Sequence, residues 1–392
     1  MHSRIATLGP SQVGRLNERQ VLRVIQAHGS LSRAEVVRRS GLSAPTVSKA
    51  VAALLAAGLL EESAATGSSR GRPAPRLRLA SERAQVLGVV IDAGHCEVVS
   101  AGLDGVLHAD ADTAVPTPAT YPALLAALTS RCKKLMAKPG VATLGVGVSF
   151  PGLTDAHTGR GVLSPNVPIT NGHAPAADLG ERLGLTAASL QEAHALCLAE
   201  RHHGLAVGLD DFAMLDVSTG VGLGVMSGGR LLAGHRGMAG EIGHVTAVAD
   251  GGRACGCGNT GCLETVASDT ALAWRASRRL GRELAVEDVV DLVKADPGAV
   301  AQELQVTARY VGIAVAAAVN LFNPATVFVH SLLFDADPGL FDRIVGEAHG
   351  RALPPSWADC QVVRAKGNKR QGAVAGIIQH LTNAVAPGLG HF

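Results

Sequence analysis

The sequence predicts an α/β protein made of two unlike parts, a basic helical head followed by a larger body of alternating strands and helices. The first observation is the charge distribution, since residues 1–80 carry twelve Arg and Lys against four Asp and Glu. Because the whole chain has a net charge of +2, the head carries +8 and the remainder −6. The second is the hydrophobic pattern, which has helical spacing in the head and β-branched runs from about residue 84. We therefore expect domains at about 1–80 and 81–392.

The composition is that of a globular protein. Of 392 residues, 47% are apolar but only 3% are aromatic, so the core is expected to consist mainly of Ala, Val and Leu. The first residues, "MHSRIATLGPSQVGRL", lack the apolar stretch of a signal peptide. Apolar runs of about 18 residues are absent, which argues against a membrane span. We expect a cytoplasmic protein, in which the seven cysteines stay reduced.

Three helical segments follow one another in the head. "RLNERQVLRVIQAHG" has helical spacing of its apolar residues and ends at Gly29. "LSRAEVVRRSG" opens with a capping box of Ser32 and Glu35 and ends at Gly41. "LSAPTVSKAVAALLAAG" starts with Ser43 as its N-cap. Two short helices joined by a Gly-containing turn predict a helix-turn-helix.

A basic loop follows the third helix and predicts a wing. Leu59–Glu62 and Leu77–Leu79 can form a two-stranded ribbon, although 65–76 could also be a plain flexible linker. Together with the charge asymmetry, this predicts a winged helix-turn-helix that binds double-stranded DNA. The predicted DNA contacts are Ser43, Thr46, Ser48 and Lys49 on the recognition helix, with Arg70 and Arg72 in the wing.

The body alternates apolar strands with helical segments. "VLGVVIDAG", "TLGVGVSFPG", "FAMLDVSTGVGLGVM" and "ATVFVHS" are the predicted strands. Asp92-Ala93-Gly94 after the first strand and a Gly-rich turn in the later half resemble the two phosphate-binding hairpins of an actin-like (ribonuclease H-like) fold. That resemblance implies two lobes, about 84–203 plus the C-terminal helix, and about 204–374.

A cluster of cysteines lies in the loop "CGCGNTGCLE". Cys255, Cys257 and Cys262 are separated by glycines and turn residues. Taken alone, the spacing is open to three interpretations: redox thiols, a disulfide, or three ligands of a metal site. Clustered cysteines in a cytosolic chain favour metal binding or catalysis over a disulfide.

Longer stretches resemble one family specifically. "STGVGLGVMSGGRLLAGHRGMAGEIGHVTA", followed by the cysteine loop, is similar to the ROK family, which comprises sugar kinases and sugar-responsive repressors. "SFPGLTD" and "LSPNVP" match other family motifs in the same order. The head resembles the winged helix-turn-helix of the repressor branch, which the kinases lack.

The resemblance implies both a metal and a sugar site. A His-Cys-Cys-Cys set is the ligand mix of a closed structural zinc site, with one zinc per chain. Its predicted ligands are His244, Cys255, Cys257 and Cys262. The second nitrogen of the histidine would face the sugar. The sugar residues that the resemblance implies are Asn166, Glu241, His244 and Glu264, with Glu192 as a further hydrogen-bonding partner.

The chain departs from the kinase pattern at several positions. Glu192 stands where family kinases have a catalytic aspartate, and the longer side chain moves the carboxylate by about 1 Å, enough to cost roughly 10²-fold in rate. His95 and Cys96 replace a Gly-Thr pair of the first phosphate hairpin, and His330-Ser331 replace a small turn against adenosine. The second phosphate loop, Thr219–Gly224, is nearly intact. We therefore predict that the protein is not an enzyme.

These observations predict a homodimeric, sugar-responsive transcriptional regulator, most simply a repressor. Sugar binding would change the lobe arrangement and with it the fit of two heads to operator half-sites. One alternative is an ATP-dependent sugar kinase with a DNA-binding head. Another is a body that has lost sugar binding and instead contacts a phosphotransferase-system protein. The sequence leaves open which sugar binds and whether it induces or co-represses.

Overall fold

The computed structural model describes residues 10–63, 75–110 and 114–384. Its N-terminal head combines three helices with a small sheet of strand order β1-β3-β2. The elements of the head are α1 (Pro10–His28), β1 (Leu31–Ser32), α2 (Arg33–Ser40), α3 (Ala44–Ala56), β2 (Leu60–Ser63) and β3 (Arg76–Leu79).

The predicted caps of α2 and α3 are confirmed, whereas α1 begins at Pro10, five residues before the predicted helical segment that starts at Arg15. Ser32 and Glu35 form the capping box of α2, and Gly41 ends that helix in the left-handed conformation. The Ser43 side chain accepts a hydrogen bond from the Thr46 backbone at the start of α3. Strands β2 and β3 form the predicted antiparallel ribbon, with Leu60 opposite Leu79. The head is therefore a helix-turn-helix followed by a ribbon.

The first lobe is a five-stranded sheet of order β10-β7-β4-β5-β6 with helices packed on it. The strands β4, β7 and β10 are parallel, while β5 and β6 continue from β4 as an antiparallel meander. The elements are β4 (Ala84–Ile91), β5 (His95–Ala101), β6 (Ala114–Pro116), α4 (Tyr121–Met136), β7 (Ala142–Phe150), β8 (Leu153–Thr154), β9 (Gly161–Leu163), a 3₁₀ turn (Pro168–Thr170), α5 (Pro175–Leu183), β10 (Thr186–Gln191) and α6 (Glu192–His203).

The second lobe repeats this arrangement with strand order β13-β12-β11-β14-β15. Strands β11, β12 and β13 form the antiparallel meander, and β14 and β15 are parallel to β11. The elements are β11 (Phe212–Val217), β12 (Val221–Ser227), β13 (Arg230–Leu231), a 3₁₀ turn (Ile242–His244), α7 (Glu264–Ala267), α8 (Asp269–Leu280), α9 (Val286–Ala295), a 3₁₀ turn (Pro297–Val300), α10 (Ala301–Phe322), β14 (Thr326–His330), α11 (Leu333–Ala336), α12 (Pro338–His349), α13 (Pro354–Ala358) and β15 (Gln361–Arg364). The duplicated topology confirms the predicted two-lobed, actin-like α/β body.

The glycines of the second predicted phosphate loop lie partly in a strand. The sequence suggested one loop over Thr219–Gly224, but only Thr219 and Gly220 are in the turn between β11 and β12. Gly222 and Gly224 belong to β12, and a Cβ at Gly224 would collide with Ala193 and Cys197 of α6. These two glycines therefore allow close packing of the helix on the strand.

The last helix, α14 (Lys369–Ala384), packs on the first lobe. It begins five residues before the lobe boundary predicted at about 374. Val374 and Ile377 share one buried apolar cluster with Val86 of β4 and with Val21 and Ile25 of α1. The core of the head is thus continuous with the core of the first lobe.

Within the described part of the chain, one helix is long and apolar enough to cross a membrane, by length and composition alone. It covers Pro297–Phe322 and includes α10. Among its residues, Val311, Val315 and Val319 are fully buried in the core of the second lobe. A core helix of a globular domain passes the same test, and the packing of α10 is of that kind.

The close approach of α14 to the sheet gives a stability prediction. A Cβ at Gly147 of β7 would collide with the carbonyl oxygen of Ala373, so we expect Gly147→Ala to lower the free energy of unfolding by about 1–3 kcal/mol. Gly346, exposed on α12 with open space around it, is the matched control. Gly346→Ala is expected to be neutral or to stabilise by up to about 1 kcal/mol. Denaturant unfolding of both variants measures the difference, and equal effects would contradict the packing argument.

Candidate functional site

A cleft between the two lobes collects the side chains that the sequence singled out. Its walls come from the ends of β7, β10 and β11, from the first residues of α6 and α7, and from the β11–β12 turn. The residues that line it include Pro151, Asn166, Gln191, Glu192, Asp216, Ser218, Gly220, Val221, Glu241, His244 and Glu264. All five predicted sugar residues therefore lie around one cavity, although nearly a hundred residues separate Asn166 from Glu264.

The four predicted metal ligands also lie together. The ligand atoms of His244, Cys255, Cys257 and Cys262 all fall within 4.8 Å of one another. The Sγ atoms of Cys257 and Cys262 are 3.7 Å apart, and Cys255 Sγ is 3.6 Å from His244 Nδ1. Zinc–sulfur bonds of about 2.3 Å would place two tetrahedral sulfurs about 3.8 Å apart. The donor set therefore fits a tetrahedral ion.

None of the seven cysteines, which all lie within the described ranges, forms a disulfide. The cysteine loop is held in shape by two isolated bridges, Thr246 with Cys262 and Ala254 with Thr260. Gly261 has a φ of +71°, and a Cβ there would collide with the Val248 carbonyl. Glycine at this position allows the loop to close tightly around the four ligand atoms.

His244 connects the cysteine cluster to the cleft. It ends the 3₁₀ turn Ile242–His244, so its ring is held between the two sites. While Nδ1 faces Cys255, Nε2 is 3.7 Å from the carboxylate of Glu241. Glu241 also accepts a hydrogen bond from the side-chain amide of Gln191 across the cleft. The imidazole of His244 therefore directs Nδ1 toward the cysteine cluster and Nε2 toward the cleft.

Two of the cleft carboxylates have raised proton affinity. Burial, with a further contribution from the charge of Glu264, raises the pKa of Glu241 to about 7. Burial also raises the pKa of Glu264, while the charge of His244 opposes the rise. Glu264 accepts a hydrogen bond from the Val221 backbone at 3.3 Å, which links α7 to the β11–β12 turn. Poorly solvated carboxylates of this kind are strong acceptors for hydroxyl groups.

Glu192, at the predicted catalytic position, is paired with a lysine that the sequence analysis did not identify. Lys369 Nζ lies 2.6 Å from Glu192 Oε1 and 3.3 Å from Asp92 Oδ2. Burial raises the pKa of Glu192 to about 7, against the opposing charge of Lys369. The lysine is the first residue of α14, and its sequence context, "KGNKRQGAVAG", has no feature that sets it apart from a surface lysine.

His330, predicted to stand where kinases have a turn against adenosine, is paired with an aspartate of the neighbouring strand β11. His330 Nδ1 lies 2.8 Å from Asp216 Oδ1 at the end of β14. Although burial opposes the shift, this contact holds the pKa of Asp216 below its usual range. Cys96, which the sequence analysis placed in the first phosphate hairpin, is fully buried within β5. Its side chain packs in the core of the first lobe. Only His95, of that pair, is exposed at the hairpin.

The recognition helix of the head presents the predicted polar face. Ser43, Ser48 and Lys49 are exposed, and Thr46 is half-buried with its hydroxyl 2.8 Å from that of Ser43. On the opposite face, the apolar residues Val47, Val51 and Leu54 are buried in the core. Arg70 and Arg72, the predicted wing contacts, lie outside the described residues.

Comparison with known proteins agrees with this architecture. Residues 87–381 match the sequence profile of the ROK family, and residues 13–71 match that of the MarR family. The DNA-binding transcriptional dual regulator NagC of Escherichia coli K12 is 27% identical, covering 96% of this chain and 97% of its own. A glucokinase of Halalkalibacterium halodurans is 30% identical over 226 residues, covering 54% of this chain and 68% of its own.

A solved structure is similar over nearly the whole chain. The crystal structure of a ROK family transcriptional regulator, a homolog of the E. coli MLC protein, has a TM-score of 0.81 at 25% identity. The match covers 96% of this chain and 98% of that one, so it includes the head as well as both lobes. The chain therefore belongs to the ROK family, and its helix-turn-helix head places it in the repressor branch of that family.

Proposed function

We propose that the protein is a DNA-binding transcriptional repressor whose body binds a sugar in the interlobe cleft without phosphorylating it. The observation that carries this proposal is the combination of a helix-turn-helix head with a cleft lined by Asn166, Glu241, His244 and Glu264. The similarity to NagC and to the MLC homolog, which extends through the head, supports the repressor branch. A DNA-binding regulator of this kind acts in the cytoplasm.

The sugar-binding role is assigned to residues with complementary chemistry. Glu241 and Glu264 would accept hydrogen bonds from vicinal hydroxyls, and the Asn166 amide can both donate and accept. Gly220 lies against these residues, since a Cβ there would come within 2.5 Å of Glu264 Oε2 and 3.6 Å of Asn166 Nδ2. Glycine at this position therefore allows the β11–β12 turn to approach the Glu264 carboxylate without a collision.

A structural zinc is proposed for the cysteine cluster. His244, Cys255, Cys257 and Cys262 would hold the ion, and four protein ligands leave no open position for catalysis. When bound, zinc would supply a fixed geometry for the loop and deprotonate the thiols. The cysteine loop leads directly to Glu264 and so positions that carboxylate. The imidazole of His244 presents its second nitrogen to the cleft.

Absence of phosphotransfer is proposed from the surroundings of Glu192. A general base must be free to take the proton of the attacking hydroxyl, and this carboxylate is already paired with Lys369 at 2.6 Å. The replacement of a small turn by His330 and Ser331 supports the same proposal, since His330 is held by Asp216 at 2.8 Å. The alternative is a sugar kinase with a DNA-binding head, and the similarity to a glucokinase supports it. An assay of ATP-dependent sugar phosphorylation distinguishes the kinase from the repressor.

A homodimer is proposed as the DNA-binding form. Two helix-turn-helix heads related by two-fold symmetry match operator half-sites one helical turn apart. Sugar binding would then act by changing the relation of the two heads. A phosphotransferase-system protein remains a further proposed partner, and loss of sugar binding in calorimetry would favour it as the effector.

The first prediction concerns the metal. Protein purified without chelators is expected to contain about one zinc per chain by elemental analysis. Cys257→Ser should lose the zinc and weaken sugar binding together, because the same loop carries His244 and leads to Glu264. Cys360→Ser, at a free cysteine in the second lobe outside the loop, is the control and should keep the metal. Zinc-free protein with intact sugar binding would contradict the site.

The second prediction concerns the head. Lys49→Ala on the recognition helix is expected to change which duplex is preferred in competition binding. Arg72→Ala should weaken binding to all duplexes alike and reduce the salt slope by about one, as expected for a phosphate contact. Arg282→Ala, exposed in the body, serves as the control. Unchanged affinity and salt slope for Arg72→Ala would make the wing assignment wrong.

The third prediction concerns the cleft. A thermal-shift screen against monosaccharides, including N-acetylglucosamine and glucose, is expected to identify a ligand. Glu241→Ala should abolish the effect of that sugar on DNA binding and leave sugar-free DNA binding intact, while exposed Glu283→Ala should behave as wild type. With ATP and magnesium, turnover should stay below about 1 s⁻¹, the lower end of ordinary kinase rates. Faster formation of sugar phosphate would establish the kinase alternative.

A further inference from the structure

Lys369 lies where three parts of the molecule meet. Its side chain is only 15% exposed, and its ammonium bridges Glu192 at the start of α6 and Asp92 at the end of β4. Burial alone would lower the pKa of Lys369, but the surrounding carboxylates, Glu192 first among them, raise it, so the group stays charged. A buried charge with such partners fixes their geometry, since separating them would leave the charges uncompensated.

The two helices joined by this ion pair both extend from the cleft to the head. Helix α6 begins with Glu192, and near its other end His202 Nδ1 lies 3.4 Å from the side-chain amide of Gln26 in α1. Helix α14 begins with Lys369, and near its other end Asn383 accepts a hydrogen bond from Arg19 of α1 at 2.7 Å. At about 1.5 Å per residue, the 12 residues of α6 span about 18 Å.

Close packing makes the two helices a stiff unit. Gly372 of α14 faces Ala195 of α6, where a Cβ would come within 2.7 Å of the backbone. On the sheet side, a Cβ at Gly88 would come within 2.8 Å of Val374. Glycine allows the backbones to pack in direct contact. A displacement at one end of either helix is therefore expected to move its other end as well.

The apolar contacts at the head end are equally direct. Val21, Leu22 and Ile25 of α1 belong to the same buried cluster as Ile377 and Ile378 of α14. The head therefore rests on the helix that starts in the cleft, through a core contact as well as through the polar contacts of Arg19 and Gln26. A change in the position of α14 has to be followed by α1.

We propose that Lys369 is a positioning residue that fixes Glu192 in the cleft and couples sugar binding to the head through α6 and α14. The inference rests on the proposed function, because it needs a sugar that contacts Glu192. A sugar hydroxyl that donates to this carboxylate competes with the ammonium for it and changes the geometry of the pair. The two helices then shift relative to each other, and α1 moves with the recognition helix.

The test measures coupling in the full-length protein. DNA affinity is determined with and without a saturating sugar from the thermal-shift screen, on a duplex selected from a random pool by the wild-type protein. Wild type is expected to show a sugar effect within the usual allosteric range of about 5- to 150-fold. For Lys369→Met we expect a ratio near one, with sugar still bound in calorimetry. Lys366→Met, at an exposed lysine three residues earlier, should keep the wild-type ratio.

A second variant tests the other end of the same connection. Arg19→Ala combined with Gln26→Ala leaves the cleft untouched, so sugar affinity should equal that of wild type, while the coupling ratio falls in part because only the apolar contacts between α1 and α14 remain. This variant decides the outcome if Lys369→Met does not fold or does not bind sugar. Lys369→Arg, which retains the charge, should restore at least part of the ratio.

The outcomes distinguish the two proposals. If the wild-type protein binds a sugar with no change in DNA affinity, the proposed function itself is wrong. If the wild-type ratio is large and persists both in Lys369→Met and in the Arg19 and Gln26 variant, the proposed function stands and the coupling role of Lys369 is overturned. Loss of the ratio in these variants, with sugar binding retained, supports the inference.

Discussion

Burial of carboxylates between two lobes is the constraint on which the rest of the site depends. Glu192 and Asp216 line the cleft from different elements, and each would carry a large desolvation cost if left unpaired, while Asp92 lies beside them after β4. Lys369 and His330 offset that cost through direct contacts with these three groups. These two partners come from α14 and β14, so the electrostatics of the cleft determine where two distant parts of the chain must lie.

The cysteine loop meets a related constraint on the other side of the cleft. Glu241 and Glu264 face each other there, and the raised pKa values of both carboxyls reflect their burial. His244 is the group that faces them, and the contact of its Nδ1 with Cys255 determines how its ring is turned. The cysteine cluster thus fixes the orientation of the His244 imidazole, and through this ring it is connected to the polar cleft.

Local patterns predicted the features whose partners are close in sequence. The capping box of Ser32 and Glu35 depends on a spacing of three residues, whereas the grouping of His244 with the cysteine loop came from the resemblance to the ROK family. Lys369 could not be predicted in this way, since 277 residues separate it from Asp92 and only the folded topology brings the two together. The burial of Cys96 could not be predicted for a related reason, because the start of β5 depends on its pairing with β4 and β6.

Charge suggested a division of the chain near residue 80, yet the apolar core crosses that position without interruption. The helix-turn-helix is therefore not a separate domain joined to the body by a flexible linker. A chimera that carried a different head on this body would expose the apolar side of α14 unless the new head supplied side chains complementary to Val374, Ile377 and Ile378. Exchange of operator specificity between relatives is thus easier by substitution on the exposed face of α3 than by recombination of whole heads.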